Sequence, residues 1–306
     1  YSSAASDVYK RQVRYTPDDG NVRGIVQIVH GMAEYVERYE NLAEFLTKRG
    51  ILVTGEDHLG HGKSVSEGGS FGYFCEQDPA TVVVRDVHRL KKITEEQYPQ
   101  VPYIILGHSM GSFIARNYLC RYGSGIGGAV IVGTGMQPAG LIFASKAMAG
   151  IQKLFCGSKH VSHFIDKAAF GGYNKRIDSP RTSSDWLSRN TENVDRYIED
   201  ELCGFTFTVN GFQTLFELIR RLQKQENLEK VPQNLPILMV SGAEDPVGDY
   251  GKGVHKACDS LKRAGVKNIT VKLYENDRHE LLNEDDAEVA MEDIWQWICK
   301  EIPGIA

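Results

Sequence analysis

Between residues 24 and 132 short apolar runs alternate with longer amphipathic ones. Residues 24–29 (GIVQIV) form a β-branched run, the pattern of a strand buried on both faces. Leu42, Phe45 and Leu46 fall at helical spacing within residues 39–49, and Gly50 stands where a helix C-cap belongs. A strand is expected at 51–54, then a long amphipathic helix at 80–98 that stops before Pro99. Strand 103–106, helix 112–121 and strand 129–132 continue the rhythm. It stops from about residue 136 to 210, where apolar helical pieces such as 141–155 mix with loop-like stretches such as 178–184. It resumes with a helix at 212–224, a strand at 237–240, a helix at 254–263, a strand at 269–273 and a closing helix at 287–301.

Strands separated by helices imply parallel strands joined by right-handed crossovers. The expected fold class is α/β, with a mostly parallel central sheet flanked by helices. Residues 13–135 and 211–306 are expected to form its core, and 136–210 a helical cap. Ligands in such sheets bind outside the carboxyl ends of the strands, so the cap is expected to cover the site. Residues 1–12 carry no apolar h-region and are not a signal peptide. They resemble a translated adapter scar and are expected to be a non-native leader outside the fold.

Composition narrows the classes. The net charge is −5, with no basic run to act as a phosphate footprint, so nucleic acid is not an expected partner. The apolar runs fall short of the roughly 20 residues of a membrane helix. Six scattered cysteines without a CxxC pair read as free thiols of a reducing compartment, and a cytoplasmic location is expected.

The strongest chemical signal is Gly107-His108-Ser109-Met110-Gly111. It matches G-x-S-x-G, with a strand before it and a helix after. Such a turn exposes a serine hydroxyl at a helix N-terminus, which makes Ser109 the candidate nucleophile. A serine needs a base, and in this arrangement an acid and then a histidine follow in the chain. Asp245 lies just past strand 237–240, with Glu244 and Asp249 as rivals, and is preferred because Pro246 stiffens the turn behind it. His279 is the histidine that follows the last strand. Two backbone N–H groups must bind the developing oxyanion; Met110 and Met32 are the candidates. His30 is expected to brace the loop that carries Met32. His58 with His61, and His160 with His163, have metal-pair spacing but no third ligand nearby, so neither metal nor cofactor is expected.

Residues 30–39 (HGMAEYVERY) resemble the HGxxEHxxRY segment of monoacylglycerol lipases and bacterial lysophospholipase-like hydrolases. Residues 57–64 (DHLGHGKS) resemble their DxxGHGxS loop, and the serine, aspartate and histidine loops match as well. The resemblance runs from about Val13 to the end. It implies an α/β-hydrolase with a helical cap, Met32 and Met110 as oxyanion donors, and an ester substrate with an apolar acyl chain. Tyr35 stands where the family commonly has histidine, and the usual first strand is missing or replaced by the leader.

Phe143, Phe155 and Trp186 are candidate walls of the acyl pocket. The apolar stretch 141–155 is expected to pack inward, the alternative being transient contact with a membrane surface. The function expected first is hydrolysis of lipid-like esters of monoacylglycerol or lysophospholipid type through a Ser-His-Asp triad. An aminopeptidase or amidase on the same triad is the alternative. A non-catalytic ligand-binding protein is a third reading, against which the intact triad argues.

Overall fold

In the computed structural model, residues 10–305 are described. Seven strands form one sheet: β1 (Gln12–Tyr15), β2 (Gly24–Val29), β3 (Ile51–Glu56), β4 (Tyr103–His108), β5 (Gly128–Val132), β6 (Ile237–Gly242) and β7 (Ile269–Tyr274). Their order is β1-β3-β2-β4-β5-β6-β7. All neighbours run parallel except β1, which pairs antiparallel with β3, Val13 facing Gly55.

The central strands are buried along their whole length because each face has its own layer of helices. Alternate residues divide between two cores. Ile25, Ile105, Ile131 and Met239 lie in one core with residues of α2 (Pro79–Gln97), α3 (Met110–Tyr122), α7 (Val209–Leu222) and α9 (Lys252–Arg263). Val26, Ile104, Val130 and Leu238 lie in the other, with α1 (Glu40–Thr47) and α10 (Ala287–Glu301). A one-residue slip of any strand would exchange the two sets, so these apolar runs also fix the register.

The expected leader needs correction at its end. Residues 1–9 lie outside the described residues, but 10–12 are built into the fold. Gln12 opens β1, the Arg11 carbonyl accepts from Asp57 N (2.9 Å), and Lys10 pairs with Asp86. The sheet edge expected to be missing or replaced is thus occupied by a short antiparallel strand. Its alternating half-exposed pattern suits an edge, where one face meets solvent.

Between β5 and β6 the chain forms α4 (Ala139–Cys156), α5 (His163–Phe170), α6 (Thr191–Glu199), α7 and α8 (Gln225–Leu228). An antiparallel bridge between Val161, after α4, and Thr208, after α6, closes the α5–α6 region on itself. The helix α4 packs on α7 and buries only Ile142 and Ala149. The expectation that stretch 141–155 packs inward is overturned. Phe143 is 77% exposed and Phe155 85%, with Leu141, Ile151 and Leu154 exposed beside them. The helix is apolar on both sides, so its composition could not say which side meets α7. All six cysteines are free. Among the described residues, no helix is long and apolar enough to cross a membrane.

Candidate active site

A single residue, Ser109, separates the end of β4 from the start of α3. Its φ of 55° and ψ of −122° lie outside the ordinary regions for an L-residue, so the turn stores strain. The ladder holds it there, because Ser109 N donates to Val132 O (3.0 Å) on β5. The flanking glycines are required by contact. A Cβ on Gly111 would lie 1.9 Å from Val29 O, and one on Gly107 would lie 2.4 Å from Gly111 O. The start of α3 therefore crosses directly beneath the end of β2.

That crossing brings the loop after β2 to the elbow. A Cβ on Gly31 would sit 3.0 Å from Ser109 Cβ. Met32, the next residue, is half-buried, and Met110 is buried at the first position of α3, where backbone N–H groups lack intrahelical acceptors. His30 braces the loop: its Nε2 accepts from His58 N (3.0 Å).

The loops after β6 and β7 interlock. Glu244 N donates to Asp277 O (2.9 Å), and a Cβ on Gly242 would lie 2.1 Å from that same oxygen. Across this junction the Asp245 carboxylate meets His279, with Oδ2 3.0 Å from Nδ1. Both are buried, Asp245 fully. Ser241 Oγ donates to Asp245 Oδ2 (3.1 Å) and Val247 N to Oδ1 (2.8 Å). Burial alone would raise the carboxyl pKa. The imidazole beside it and these hydrogen bonds outweigh burial and hold it below the usual range. The rivals Glu244 and Asp249 are exposed. The imidazole also has a place prepared for it: a Cβ on Gly133, at the end of β5, would lie 3.1 Å from His279 Cε1.

Of the three candidate pocket residues, Trp186 reaches the site. Its ring lies 5.1 Å from that of His279, with Tyr173 edge-on behind it at 4.8 Å. Phe143 and Phe155 stand on the outer face of α4 instead. A cavity of about 180 Å³ opens beside Trp186, walled also by Tyr173, Arg176, Glu244, Tyr250 and Arg278.

Sequence reasoning missed a buried polar network behind these residues. Glu34 Oε1 accepts from Gly31 N and from Tyr39 Oη (2.7 Å). Both nitrogens of His108 are engaged: Nδ1 lies 2.8 Å from Tyr39 Oη and 3.3 Å from Glu34 Oε1, and Nε2 lies 3.1 Å from the His279 carbonyl. Burial would lower the His108 pKa, but the hydrogen bond and charge of Glu34 raise it. Burial likewise pushes Glu34 up, and His108 and Arg38 pull it well below the usual range. Arg38 then joins Glu34 to Glu280. The one trace of this in the sequence is the i,i+4 spacing of Glu34 and Arg38 inside HGMAEYVERY. Among the described residues, no group of three or more His, Cys, Asp or Glu could hold a metal ion.

A mostly parallel sheet with a strained serine between a strand and a helix, and a buried Asp–His pair past later strands, is an α/β-hydrolase. Residues 20–286 match the family described as serine aminopeptidase, S33, and the chain belongs to that family. It is 29% identical to the monoglyceride lipase of Rattus norvegicus over 273 residues, 89% of this chain and 80% of the relative. It is 27% identical to the monoacylglycerol lipase of Mycolicibacterium smegmatis over 289 residues, 94% and 92% of the two chains. Among solved structures it resembles a highly thermostable carboxyl esterase from Bacillus coagulans in complex with glycerol. The two share 30% identity and a TM-score of 0.91, over 100% of this chain and 97% of that one. The chain is a serine hydrolase of the monoglyceride lipase-like kind.

Proposed function

We propose that this enzyme hydrolyses carboxylic esters with an apolar acyl chain, of monoacylglycerol or lysophospholipid type, through an acyl-enzyme. The observation that carries the reading is the buried Asp245–His279 pair, whose histidine packs against His108, the chain neighbour of an elbow serine that Gly31 approaches closely. Ser109 Oγ attacks the ester carbonyl while His279 Nε2 takes its proton. The N–H groups of Met32 and Met110 receive the oxyanion. His279 then protonates the leaving alcohol, and water, activated by the same imidazole, releases the acid and restores Ser109. Asp245 keeps the proton on Nδ1, so that Nε2 faces the serine as an acceptor. The chemistry uses neither metal nor cofactor.

Residues 136–210 act as a cap over this site. Trp186, against His279, is a wall that excludes water on the leaving-group side. The outer face of α4, with Phe143, Phe155 and Leu154, supports transient contact with a lipid surface on which the substrate is dispersed. The six free thiols fit a reducing, cytoplasmic setting. A fluorophosphonate probe and a graded panel test the reading. Labelling of Ser109, with turnover of monoacylglycerols and p-nitrophenyl esters above aminoacyl-nitroanilides, is expected. Faster cleavage of the nitroanilides would replace it with an aminopeptidase.

A further inference from the structure

We propose that Arg38 is a positioning residue that locks the oxyanion loop, the base loop and the cap into one arrangement. The inference rests on the ester-hydrolase reading of Ser109 and His279. Arg38 lies just before α1 and touches neither residue. Its guanidinium is nearly buried and faces two carboxylates from different loops. Nη1 donates to Glu34 Oε2 (2.8 Å) and to Glu280 Oε1 (2.6 Å), and Nη2 donates to Glu280 Oε2 (2.7 Å). Glu34 in turn holds the Gly31 amide, one residue before Met32. Glu280 follows His279 in the chain, and the His279 carbonyl is held by His108, which Glu34 also binds. One cation thus ties together the two loops whose separation sets the distance from oxyanion donor to base.

The geometry explains why an arginine is needed. The planar fork meets Glu280 with two parallel hydrogen bonds and has a further donor direction for Glu34, which a lysine ammonium cannot match in direction. Burial raises the cost of leaving two carboxylates facing each other without the cation, and the loops would part to relieve it. A displacement of this kind need be no more than about 1 Å to lose catalysis.

The cap closes the same site from above. Asn193 of α6 accepts from Arg38 Nη2 (3.3 Å) and donates to Glu280 Oε2 (2.7 Å), and the Tyr197 ring lies over the guanidinium with its centroid 4.9 Å from Cζ. Glu280 N donates to Leu187 O (2.6 Å), a second tie from the base loop to the α4–α6 region. The seating of α6 and the alignment of His279 therefore share one side chain.

The test uses the full chain with Arg38→Lys, Glu280→Gln and the double variant, on p-nitrophenyl acetate and p-nitrophenyl decanoate. Arg38→Lys should lower kcat about 100-fold on both esters and leave KM within about threefold, because alignment and not substrate contact is lost. Glu280→Gln keeps the volume and some hydrogen bonding and should lose about tenfold; it carries the test if Arg38→Lys does not fold. The double variant should be no worse than Arg38→Lys alone, as expected of residues acting as one unit. Amide exchange across residues 191–199 should quicken in Arg38→Lys. The proposal is overturned by a folded Arg38→Lys with kcat within threefold of the parent, by a change confined to KM, by multiplicative losses in the double variant, or by unaltered exchange at α6. Failure of the parent protein to turn over either ester would sink the ester-hydrolase reading, and the exchange measurement would still decide whether Arg38 seats the cap.

Discussion

Replacing Asp245 with asparagine removes a charge and one acceptor, and the surroundings determine which way the amide must turn. Oδ1 of the carboxylate accepts the Val247 amide at 2.8 Å, so the asparagine oxygen has to occupy that position. The amide nitrogen then falls at the site of Oδ2, 3.0 Å from His279 Nδ1. It donates there and makes Nδ1 the acceptor. The imidazole proton is transferred to Nε2, which in the proposed triad faces Ser109 and can no longer accept the hydroxyl proton. Ser241 Oγ, a donor to Oδ2 in the parent, can rotate to accept instead, so nothing in the pocket opposes the new tautomer. An inverted tautomer of this kind costs about 10⁴ in kcat in a serine protease triad, or about 5.5 kcal/mol of transition-state stabilisation. The expected result is therefore a loss of three to four orders of magnitude in kcat for Asp245→Asn, in a variant that stays folded, measured on p-nitrophenyl butyrate with active-site titration. Glu244→Gln and Asp249→Asn alter exposed side chains and should remain within about twofold of the parent. Turnover of Asp245→Asn within tenfold of the parent, or a large loss on Asp249→Asn, would refute the assignment of the acid.

Three further outcomes are expected. Ser109→Ala and Ser109→Gly should both abolish turnover, but only the glycine variant relieves the φ of 55°; it should be more stable by about 1 kcal/mol in urea unfolding, and equal stabilities would argue against strain at the elbow. Stability should depend on pH from both sides. Glu34, Glu280 and Asp245 are held below the usual carboxylate range, so their contribution is complete above about pH 4.5 and is lost as pH falls through their folded values; His108 is raised, so its contribution is complete below about pH 6.5 and is lost as pH climbs through its folded value. His30, His58 and His61 are lowered by burial, so their contribution is complete above about pH 6.5 and is lost as pH falls below it. Thermal melts from pH 3 to 9 should therefore peak near about pH 6.5, and Glu34→Gln should flatten the curve; an unaltered curve in that variant would remove the network from the account. Replacing Phe143 and Phe155 together with serine should reduce binding to phosphatidylcholine vesicles while leaving turnover of a soluble short-chain ester within about twofold, and a matching loss on the soluble ester would return these side chains to the acyl pocket.

The strands of the sheet centre were legible because both of their faces are covered: β2 was matched in full, β5 missed only Gly128 at its start, and β4 and β6 missed the two residues at their carboxyl ends. The edge strand β1 was not. Its sequence QVRY has one strongly apolar residue, and what holds it is backbone pairing with β3 together with the Val13 carbonyl on Thr54 Oγ1, neither of which leaves a mark on composition. The candidate triad was legible for a related reason. Each member lies at or a few residues past a strand end, and in a parallel sheet all carboxyl ends lie on one side, so topology sends three residues far apart in the chain towards one end of the sheet.

The Arg38 network had no such guide. Arg38 meets Glu280 across 242 residues and Asn193 across 155, and none of the three lies in a position that the strand rhythm singles out. A charged residue in a polar stretch is solvated far more often than buried, so sequence favours the wrong environment for all of them. The outer face of α4 is the converse case. Phe143, Leu154 and Phe155 read as core residues because most clustered aromatic and aliphatic side chains are buried, yet on the helix only Ile142 and Ala149 are buried as it packs on α7. Once that narrow contact is made, no second layer exists to cover the rest. An apolar surface left in this way, on the segment proposed as the cap, is costly to a protein that meets only water and useful to one whose substrate gathers at a lipid interface.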